Sequence, residues 1–280
     1  MTTYHQLLNQ LDHLKLDRVR QLLPEFLDEH ADISLVEGLH ELLSEELRER
    51  EALLQERRLK KAHLPYEKRV MDFDFQFQPK INKAEILDLH TLRFLDKHEN
   101  LLFIGNSGVG KTHLAISITL EALEKGYSSY FCMSTELVDR LLRANQKGTL
   151  ERVLKQYANY DVLVIDEVGY LPFSRDGASL LFQLINMRYE KKSTLITTNI
   201  PLSQWSEFLQ DKKLTNALLD RLVHHSKVIS ITGKSYRMKD YSEKKTKTQK
   251  VNKVMGPNQQ FGWPISYIFN DPKPTFLDGP

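Results

Sequence analysis

A glycine-rich segment carries the clearest chemistry in the chain. Residues 105–112 read Gly-Asn-Ser-Gly-Val-Gly-Lys-Thr and match the pattern G-x-x-x-x-G-K-[ST], between an expected strand and an expected helix. The glycines let backbone N–H groups point at phosphate oxygens, and the positive end of the following helix favours negative charge. Lys111 would neutralise the β and γ phosphates of ATP, and the Thr112 hydroxyl would be a ligand of Mg²⁺. The expected phosphate-binding residues are Gly105, Asn106, Ser107, Gly108, Val109, Gly110, Lys111 and Thr112.

Two adjacent acids follow a strongly apolar run, Val162-Leu163-Val164-Ile165. This pattern predicts a buried strand that ends in Asp166 and Glu167, at the sheet edge where open α/β sheets bind their ligands. We expect Asp166 to complete the nucleotide site and to hold Mg²⁺, and Glu167 to polarise the attacking water. An acid pair of this kind indicates hydrolysis of ATP rather than phosphoryl transfer to a metabolite.

A side-chain amide follows another predicted strand. Thr197-Thr198-Asn199 ends an apolar run and precedes Pro201. Asn199 would lie beside the γ-phosphate and the attacking water, so it is a candidate γ-phosphate sensor. The alternative is an Asn that only forms the turn before the proline.

Composition limits the class of protein that could carry these residues. The chain has 280 residues, with 39 Lys and Arg against 37 Asp and Glu, so net charge alone does not define a polyanion-binding protein. A hydrophobic fraction of 41% is ordinary for a globular protein with a core. The sequence lacks an uninterrupted apolar run long enough for a membrane helix, so we expect no membrane association. The single cysteine, Cys132, cannot form an internal disulfide, which suits a reducing cytoplasm, and we expect it to be a buried residue of a strand.

Short apolar runs alternate with helical patterns from residue 101 onwards. Continuous apolar runs separated by helices predict an α/β fold with a parallel sheet that is covered on both faces. A domain of this type would span residues 81–240. The five predicted strands cover residues 101–104, 129–133, 162–165, 194–198 and 227–231.

The flanking regions have a different character. Residues 1–64 have helical periodicity and predict a small all-helical domain that binds DNA or a partner. Ser34 followed by Glu37 predicts the start of a long helix. This helix would run to the basic residues 57–61, which are either a solvated helix end or a nucleic-acid contact.

Two further segments lack helical periodicity. Residues 65–80 predict an extended linker and a domain boundary, because Pro65 and the alternation of Phe73, Phe75 and Phe77 interrupt the helical period. These aromatic rings either stack on a base or pack on the next domain. Residues 241–280 are rich in lysine, proline and aromatic residues and predict a flexible tail.

The motifs together resemble those of a known family. Residues 105–112, the Asp166-Glu167 pair, Asn199, the segment Leu219-Asp-Arg-Leu-Val-His-His and the segment Gly233-Lys-Ser-Tyr-Arg are similar to those of AAA+ ATPases of the initiator and helicase-loader branch. Among these the chain most resembles the IstB-type helper ATPases of insertion-sequence transposition, which are related to DnaC-type helicase loaders. The resemblance covers residues 70–240 closely and implies an AAA+ P-loop fold.

The resemblance also implies roles for two arginines. Arg221 corresponds to the arginine finger, which reaches from one subunit into the ATP site of its neighbour and stabilises charge in the transition state. Arg237 corresponds to the second sensor. Without the resemblance, either arginine could form an ordinary surface ion pair.

DNA binding is a further implication of the family, and one helix offers a candidate surface. Arg140, Arg143 and Lys147 share one helical stripe, and Arg152 and Lys155 follow on the next predicted helix. Repeated in an assembly of subunits, the stripe would follow a phosphate backbone without reading its sequence. The alternative is a solvated basic surface.

Two adjacent histidines follow the arginine finger. No acid or cysteine lies at ligand spacing from His224 and His225 in the neighbouring sequence. We therefore expect helix-end or interface residues rather than metal ligands.

The resemblance implies an ATPase that self-assembles on double-stranded target DNA, with ATP sites at its subunit interfaces, and that assists the transposase of an insertion sequence. Three alternatives remain open. A helicase loader would use the same ATP site, a metabolic P-loop kinase would act as a monomer, and a binding switch would need no hydrolysis.

Overall fold

The computed structural model describes residues 2–30 and 32–238, which form helices and one sheet. The helices are α1 Thr3–His13, α2 Asp17–Glu29, α3 Leu35–Lys61, α4 Lys83–Leu89, α5 Arg93–Asp96, α6 Lys111–Glu124, α7 Ser134–Gln146, α8 Leu150–Asn159, α9 Arg175–Arg188, α10 Trp205–Leu209 and α11 Lys212–His224. The strands are β1 Asn100–Gly105, β2 Ser129–Met133, β3 Val162–Val168, β4 Ser193–Thr198 and β5 Ser226–Ile231.

The sheet is parallel, with strand order β2-β3-β4-β1-β5. All five predicted strands are present, and β3 is three residues longer at its end than the apolar run alone predicts. Because β1 and β3 both neighbour β4, the segments that follow these three strands meet at one edge of the sheet. The α/β prediction is therefore confirmed.

Helices cover both faces of the sheet because its strands carry apolar side chains on both faces. On one face, Leu102, Leu163 and Ile196 pack in a cluster formed with α7 to α11. On the other face, Leu101 and Val164 pack in a second cluster, formed mainly with α4 to α6. Cys132 of β2 is buried as predicted, and burial raises the pKa of its thiol to about 12.

The predicted helical region contains α1, α2 and the long helix α3. Ser34 caps α3 by accepting a hydrogen bond from the backbone N–H of Glu37, as predicted. The carboxylate of Glu46 in α3 accepts hydrogen bonds from the first-turn amides of Arg18 and Val19 in α2. Burial acts to raise the pKa of Glu46, but these amides and the guanidinium of Arg50 outweigh it and lower that pKa below its ordinary value.

The end of α3 contacts the edge of the sheet. The backbone N–H of Phe131 in β2 donates to the carbonyl of Ala62, immediately after α3. The helical region therefore belongs to the compact unit Met1–Tyr236, whereas Arg237–Pro280 form a second unit. The predicted tail at 241–280 lies outside the described residues.

Residues 65–80 do not run as one extended segment. They include a 3-10 turn at Val70–Asp72 and bury Phe73 and Gln78 against the following domain. The side-chain amide of Gln78 donates a 2.7 Å hydrogen bond to the carbonyl of Lys234. Of the two interpretations of the aromatic residues in this segment, packing on the next domain is the one the structure supports.

A buried arginine joins the sheet to the helices at the amino edge of the sheet, the edge where the strands begin. Arg188, at the end of α9, is 1% exposed and donates to the carbonyls of Tyr157, Ala158, Tyr160 and Ser193 and to the hydroxyl of Thr194. Burial lowers its pKa to about 9. Three of these carbonyls lie at or just after the end of α8, where the helix dipole favours a cation.

Candidate functional site

The glycine-rich segment forms a tight loop between β1 and α6. Gly108 has φ +78° and Gly110 has φ +104°, conformations that residues with a Cβ adopt only at a cost. A Cβ on Gly110 would also lie 2.5 Å from Cε2 of Phe73. Glycine is therefore needed at residue 110 for two separate reasons.

Lys111 begins α6 and points back into this loop. Its Nζ atom donates hydrogen bonds of 2.7 and 2.8 Å to the carbonyls of Gly105 and Asn106, and the residue is 8% exposed. This buried ammonium can bind an anion in place of the loop carbonyls, because phosphate oxygens are stronger hydrogen-bond acceptors than carbonyl oxygens.

Thr112 and Asp166 meet across the loop and β3. The Thr112 hydroxyl donates a 2.9 Å hydrogen bond to Oδ1 of Asp166, which is 4% exposed. Burial raises the pKa of the Asp166 carboxyl above its ordinary value, although the hydroxyls of Thr197 and Thr112 and the ammonium of Lys111 act to lower it. A hydroxyl and a carboxylate oxygen are hard ligands of the kind that Mg²⁺ takes, so the two residues fit this ion.

Glu167 lies beside Asp166 but has a different backbone conformation. Its φ is +57°, and the pairing of β3 with β4 is irregular between Ile165 and Val168. Its N–H donates 3.0 Å to the hydroxyl of Thr197, and its carbonyl accepts from the hydroxyl of Ser134. The positive φ and the irregular pairing give the second of these two consecutive acids a backbone conformation that differs from that of a regular strand.

Asn199 follows β4, the strand between β1 and β3. Thr198 pairs with Ile104 on one side and with Val168 on the other. Asn199 is exposed and lies between the glycine-rich loop and Glu167 at the same sheet edge. The structure thus brings all the expected nucleotide residues from three strands to one edge.

Aromatic residues cover the glycine-rich loop on the side of residues 65–80. The backbone N–H of Tyr236 donates 2.8 Å to the carbonyl of Gly108, and its hydroxyl donates 2.6 Å to the carbonyl of Asp74. Burial raises the pKa of Tyr236 to about 12. Rings of Phe73 and Phe77 pack against Tyr236.

Arg221 lies on α11, away from the glycine-rich loop of its own chain. Its Nε donates 2.7 Å to the side chain of Asn186, and its guanidinium packs on the ring of Phe182 at 4.9 Å. The end of α11 is fixed at the start of β1, where the N–H of Asn100 donates 2.7 Å to the carbonyl of His225. Arg221 therefore lies near the amino ends of the strands, whereas the glycine-rich loop lies at their carboxyl ends.

Arg237 belongs to the second unit, Arg237–Pro280. It is exposed and helical, one residue after the aromatic contact formed by Tyr236. Its role as a second sensor remains a prediction.

The five candidate DNA contacts are all exposed: two lie on α7, one immediately follows α7, and two lie on α8. Arg140 packs over the ring of Tyr157 at 5.4 Å, and Arg143 lies 4.0 Å from Asp139. Lys155 forms a 2.6 Å ion pair with Glu151. The nearby acids reduce the positive charge of the stripe, which contains Arg140, Arg143, Lys147, Arg152 and Lys155.

The two histidines lie at a helix end, as predicted: His224 is the last residue of α11 and His225 follows it.

The sequence did not indicate a role for Thr197, which contacts both acids at the sheet edge that holds the glycine-rich loop. A hydroxyl in an apolar strand has no local signal for such a role, because its partners lie 30 and 31 residues away in the sequence.

The family model described as IstB-like ATP binding protein matches residues 9–244. The chain is 48% identical over 86% of its length to an insertion sequence IS232 protein of Bacillus thuringiensis subsp. berliner named for ATP binding, and covers 98% of that relative. It is 40% identical over 84% of its length to an insertion sequence IS21 protein of Pseudomonas aeruginosa, also named for ATP binding, and covers 90% of it.

Solved structures share the fold of the chain. DnaI is similar with a TM-score of 0.50 and 22% identity, over 59% of this chain and 91% of DnaI. AMPPCP-bound DnaA from Aquifex aeolicus is similar with a TM-score of 0.50 and 18% identity, over 67% of this chain and 57% of DnaA. Within the described residues, no helix combines the length and the apolar character needed to span a bilayer. The chain has the AAA+ P-loop fold and belongs to the family of IstB-like ATP-binding proteins of insertion sequences.

Proposed function

We propose that this protein is a Mg²⁺-dependent ATPase that assembles on double-stranded DNA and assists the transposase of an insertion sequence. Its membership of the IstB-like family and the relatives carried by insertion sequences support transposition as the process. The observation that carries the assembly part of the proposal is the separation of Arg221 from the nucleotide edge of its own chain.

The proposed hydrolysis uses residues from three strands. Lys111 exchanges its loop carbonyls for the β and γ phosphates, and Glu167 accepts a proton from the attacking water. Asn199 orients that water and the γ-phosphate. Thr112 and Asp166 would hold Mg²⁺, which neutralises charge on the phosphates when it is bound.

The proposed arginine finger acts between subunits. The six residues of β1 span about 17 Å at the usual strand rise, and Arg221 is held near the first of them whereas the glycine-rich loop follows the last. This span exceeds the length of an arginine side chain. A finger on α11 therefore fits the ATP site of a neighbouring copy, and hydrolysis would depend on assembly.

The proposed DNA surface is the exposed stripe on α7 and α8. Among the described residues of the stripe, Lys147 and Arg152 are the least compensated, because Arg143 lies 4.0 Å from Asp139, Arg140 packs on a tyrosine and Lys155 is ion-paired. We expect each copy to bind weakly and the assembly to bind strongly, with an affinity that falls as salt rises. Lys125, which follows α6 and is paired with Glu121 of that helix, offers a control for the loss of one positive charge outside the stripe.

The roles of the individual segments of the chain are also part of the proposal. Residues 1–64 would bind DNA or a partner, 65–80 would connect them to the ATPase domain at 81–240, and 241–280 would be a tail. Capture of the transposase, and not of a replicative helicase, would distinguish a transposition helper from a helicase loader.

The decisive test measures ATP turnover per subunit across protein concentrations, with and without duplex DNA. Turnover should rise with concentration and with DNA. Glu167→Gln should abolish turnover and retain an ATP-bound assembly on DNA, whereas Glu207→Gln, which changes an exposed acid on α10, should behave as the native protein. A rate per subunit that ignores both dilution and DNA would overturn the proposal.

A further inference from the structure

A cluster of three potential metal ligands lies at the amino edge of the sheet, outside the nucleotide site. Glu190 follows α9, His224 is the last residue of α11, and His225 follows it. One ligand atom from each residue lies within 4.8 Å of the others, and all three residues are exposed. The fold thus brings an acid to the histidine pair from more than 30 residues away, which sequence spacing alone could not reveal.

The geometry of this cluster is close to that of a four-coordinate metal site. Nε2 of His225 and Oε1 of Glu190 are 3.1 Å apart. Two ligands bound tetrahedrally at about 2.0–2.1 Å would be about 3.4 Å apart, so this pair is nearly in position. One ligand atom of the exposed His224 lies within 4.8 Å of a ligand atom of each of the other two residues.

An existing hydrogen bond would orient the second histidine. Nδ1 of His224 lies 3.0 Å from the hydroxyl of Tyr189. Coordination through the other ring nitrogen would keep this hydrogen bond, an arrangement that commonly fixes the orientation of ligating histidines. Each histidine of the cluster therefore already has a hydrogen-bond partner, Tyr189 for His224 and Glu190 for His225.

We propose that Glu190, His224 and His225 bind one transition-metal ion of the class that imidazole favours, with Zn²⁺ as the representative ion. Water completes the four-coordinate shell because the cluster is exposed. Mg²⁺ is not expected to compete, since it prefers oxygen ligands in octahedral geometry. The ion would join the ends of α9 and α11, beside the contact between Asn186 and Arg221.

This site is independent of the ATP site, which makes it separable by experiment. The cluster belongs to the amino edge, where His225 contacts the start of β1, whereas Lys111 follows the other end of that strand. A Lys111→Ala variant should therefore keep its Zn²⁺ affinity even though it loses ATP.

The test is a Zn²⁺ titration of the untagged full-length protein, in competition with a chromophoric chelator and with excess Mg²⁺ present. The native protein should bind one equivalent of Zn²⁺. His225→Gln and Glu190→Gln should each weaken binding at least about tenfold, because each removes one of three protein ligands. His40→Gln, which changes an exposed histidine on α3, is the matched control and should leave binding unchanged.

A second readout does not depend on the chelator. Zn²⁺ should raise the melting temperature of the native protein and of His40→Gln, and a chelator should reverse the effect. The two cluster variants should melt near the metal-free native protein and should not respond to Zn²⁺. Absence of a stoichiometric site, or equal affinity in the cluster variants and the control, would overturn the proposal.

Discussion

The hydroxyl of Thr197 donates a 2.5 Å hydrogen bond to Oδ1 of Asp166. The Oγ1 atom of Thr197 also accepts a 3.0 Å hydrogen bond from the backbone N–H of Glu167, so one side chain on β4 contacts both acids on β3. Thr197 is fully buried, and its contact spans the point where strand pairing becomes irregular. We infer that it positions the acids without itself contacting ATP.

Replacing this hydroxyl tests that role. Thr197→Val removes two hydrogen bonds, one of them to the Asp166 carboxylate, and should lower kcat for ATP hydrolysis about 10- to 100-fold while the KM for ATP changes little. Thr197→Ser should restore most of the rate. Steady-state kinetics with saturating DNA would measure both constants.

The matched control is Thr119→Val on α6, which removes another fully buried hydroxyl far along the helix from the loop. It should leave kcat unchanged. A large rise in KM with kcat intact in Thr197→Val would contradict a positioning role, as would failure of Thr197→Ser to recover.

The raised pKa of Asp166 predicts how stability depends on pH. The folded protein holds this proton more tightly than the unfolded chain, so ionising Asp166 costs stability. This cost is absent below the ordinary aspartate pKa of 3.8 and appears as pH rises through the higher pKa of the folded protein. In metal-free buffer, Asp166→Asn should therefore gain stability relative to the native protein from acid towards neutral pH, as measured by urea unfolding at several pH values.

The opposite trend, a variant that loses relative stability as pH rises, would mean that the hydrogen bonds from Thr197 and Thr112 outweigh burial. Asp176→Asn, at an exposed position in the first turn of α9, should lack the predicted gain.

Two glycines with positive φ allow the cost of backbone strain to be measured apart from the cost of a steric clash. Gly148 has φ +65° and open space where a Cβ would lie, whereas Gly110 faces the ring of Phe73. Gly148→Ala should cost about 1 kcal/mol of unfolding free energy from φ alone. Gly110→Ala should cost at least about 1 kcal/mol more, from the added overlap, and should also weaken ATP binding.

Denaturant unfolding and nucleotide titration of both variants would measure these effects. Equal costs would contradict the close contact between Phe73 and the glycine-rich loop.

Much of the fold could be predicted because its signals are local. The glycine-rich loop, the apolar run before Asp166 and the Ser34 cap each depend on a few consecutive residues. Arg188 and Glu190 could not be interpreted in this way, because their partners come from other elements of the chain. Likewise, periodicity predicted a linker at 65–80 but could not show that Phe73 packs on Gly110.

Arg188 itself yields a stability prediction. Arg188→Met should lower the unfolding free energy by about 3 kcal/mol or more, because it leaves several buried carbonyls without their donor. Arg175→Met, at the exposed start of the same helix, should change it by about 0.5 kcal/mol or less. Similar effects in the two urea unfolding curves would contradict a structural role for the buried guanidinium.

The most direct test of the account mixes two inactive variants. Lys111→Ala lacks a working ATP site but keeps its finger, and Arg221→Ala keeps its site but lacks the finger. If sites form between copies, an equal mixture should recover about one quarter of the native turnover per subunit, since one in four random interfaces joins an intact site to an intact finger. A mixture that remains as inactive as its components would contradict a shared ATP site.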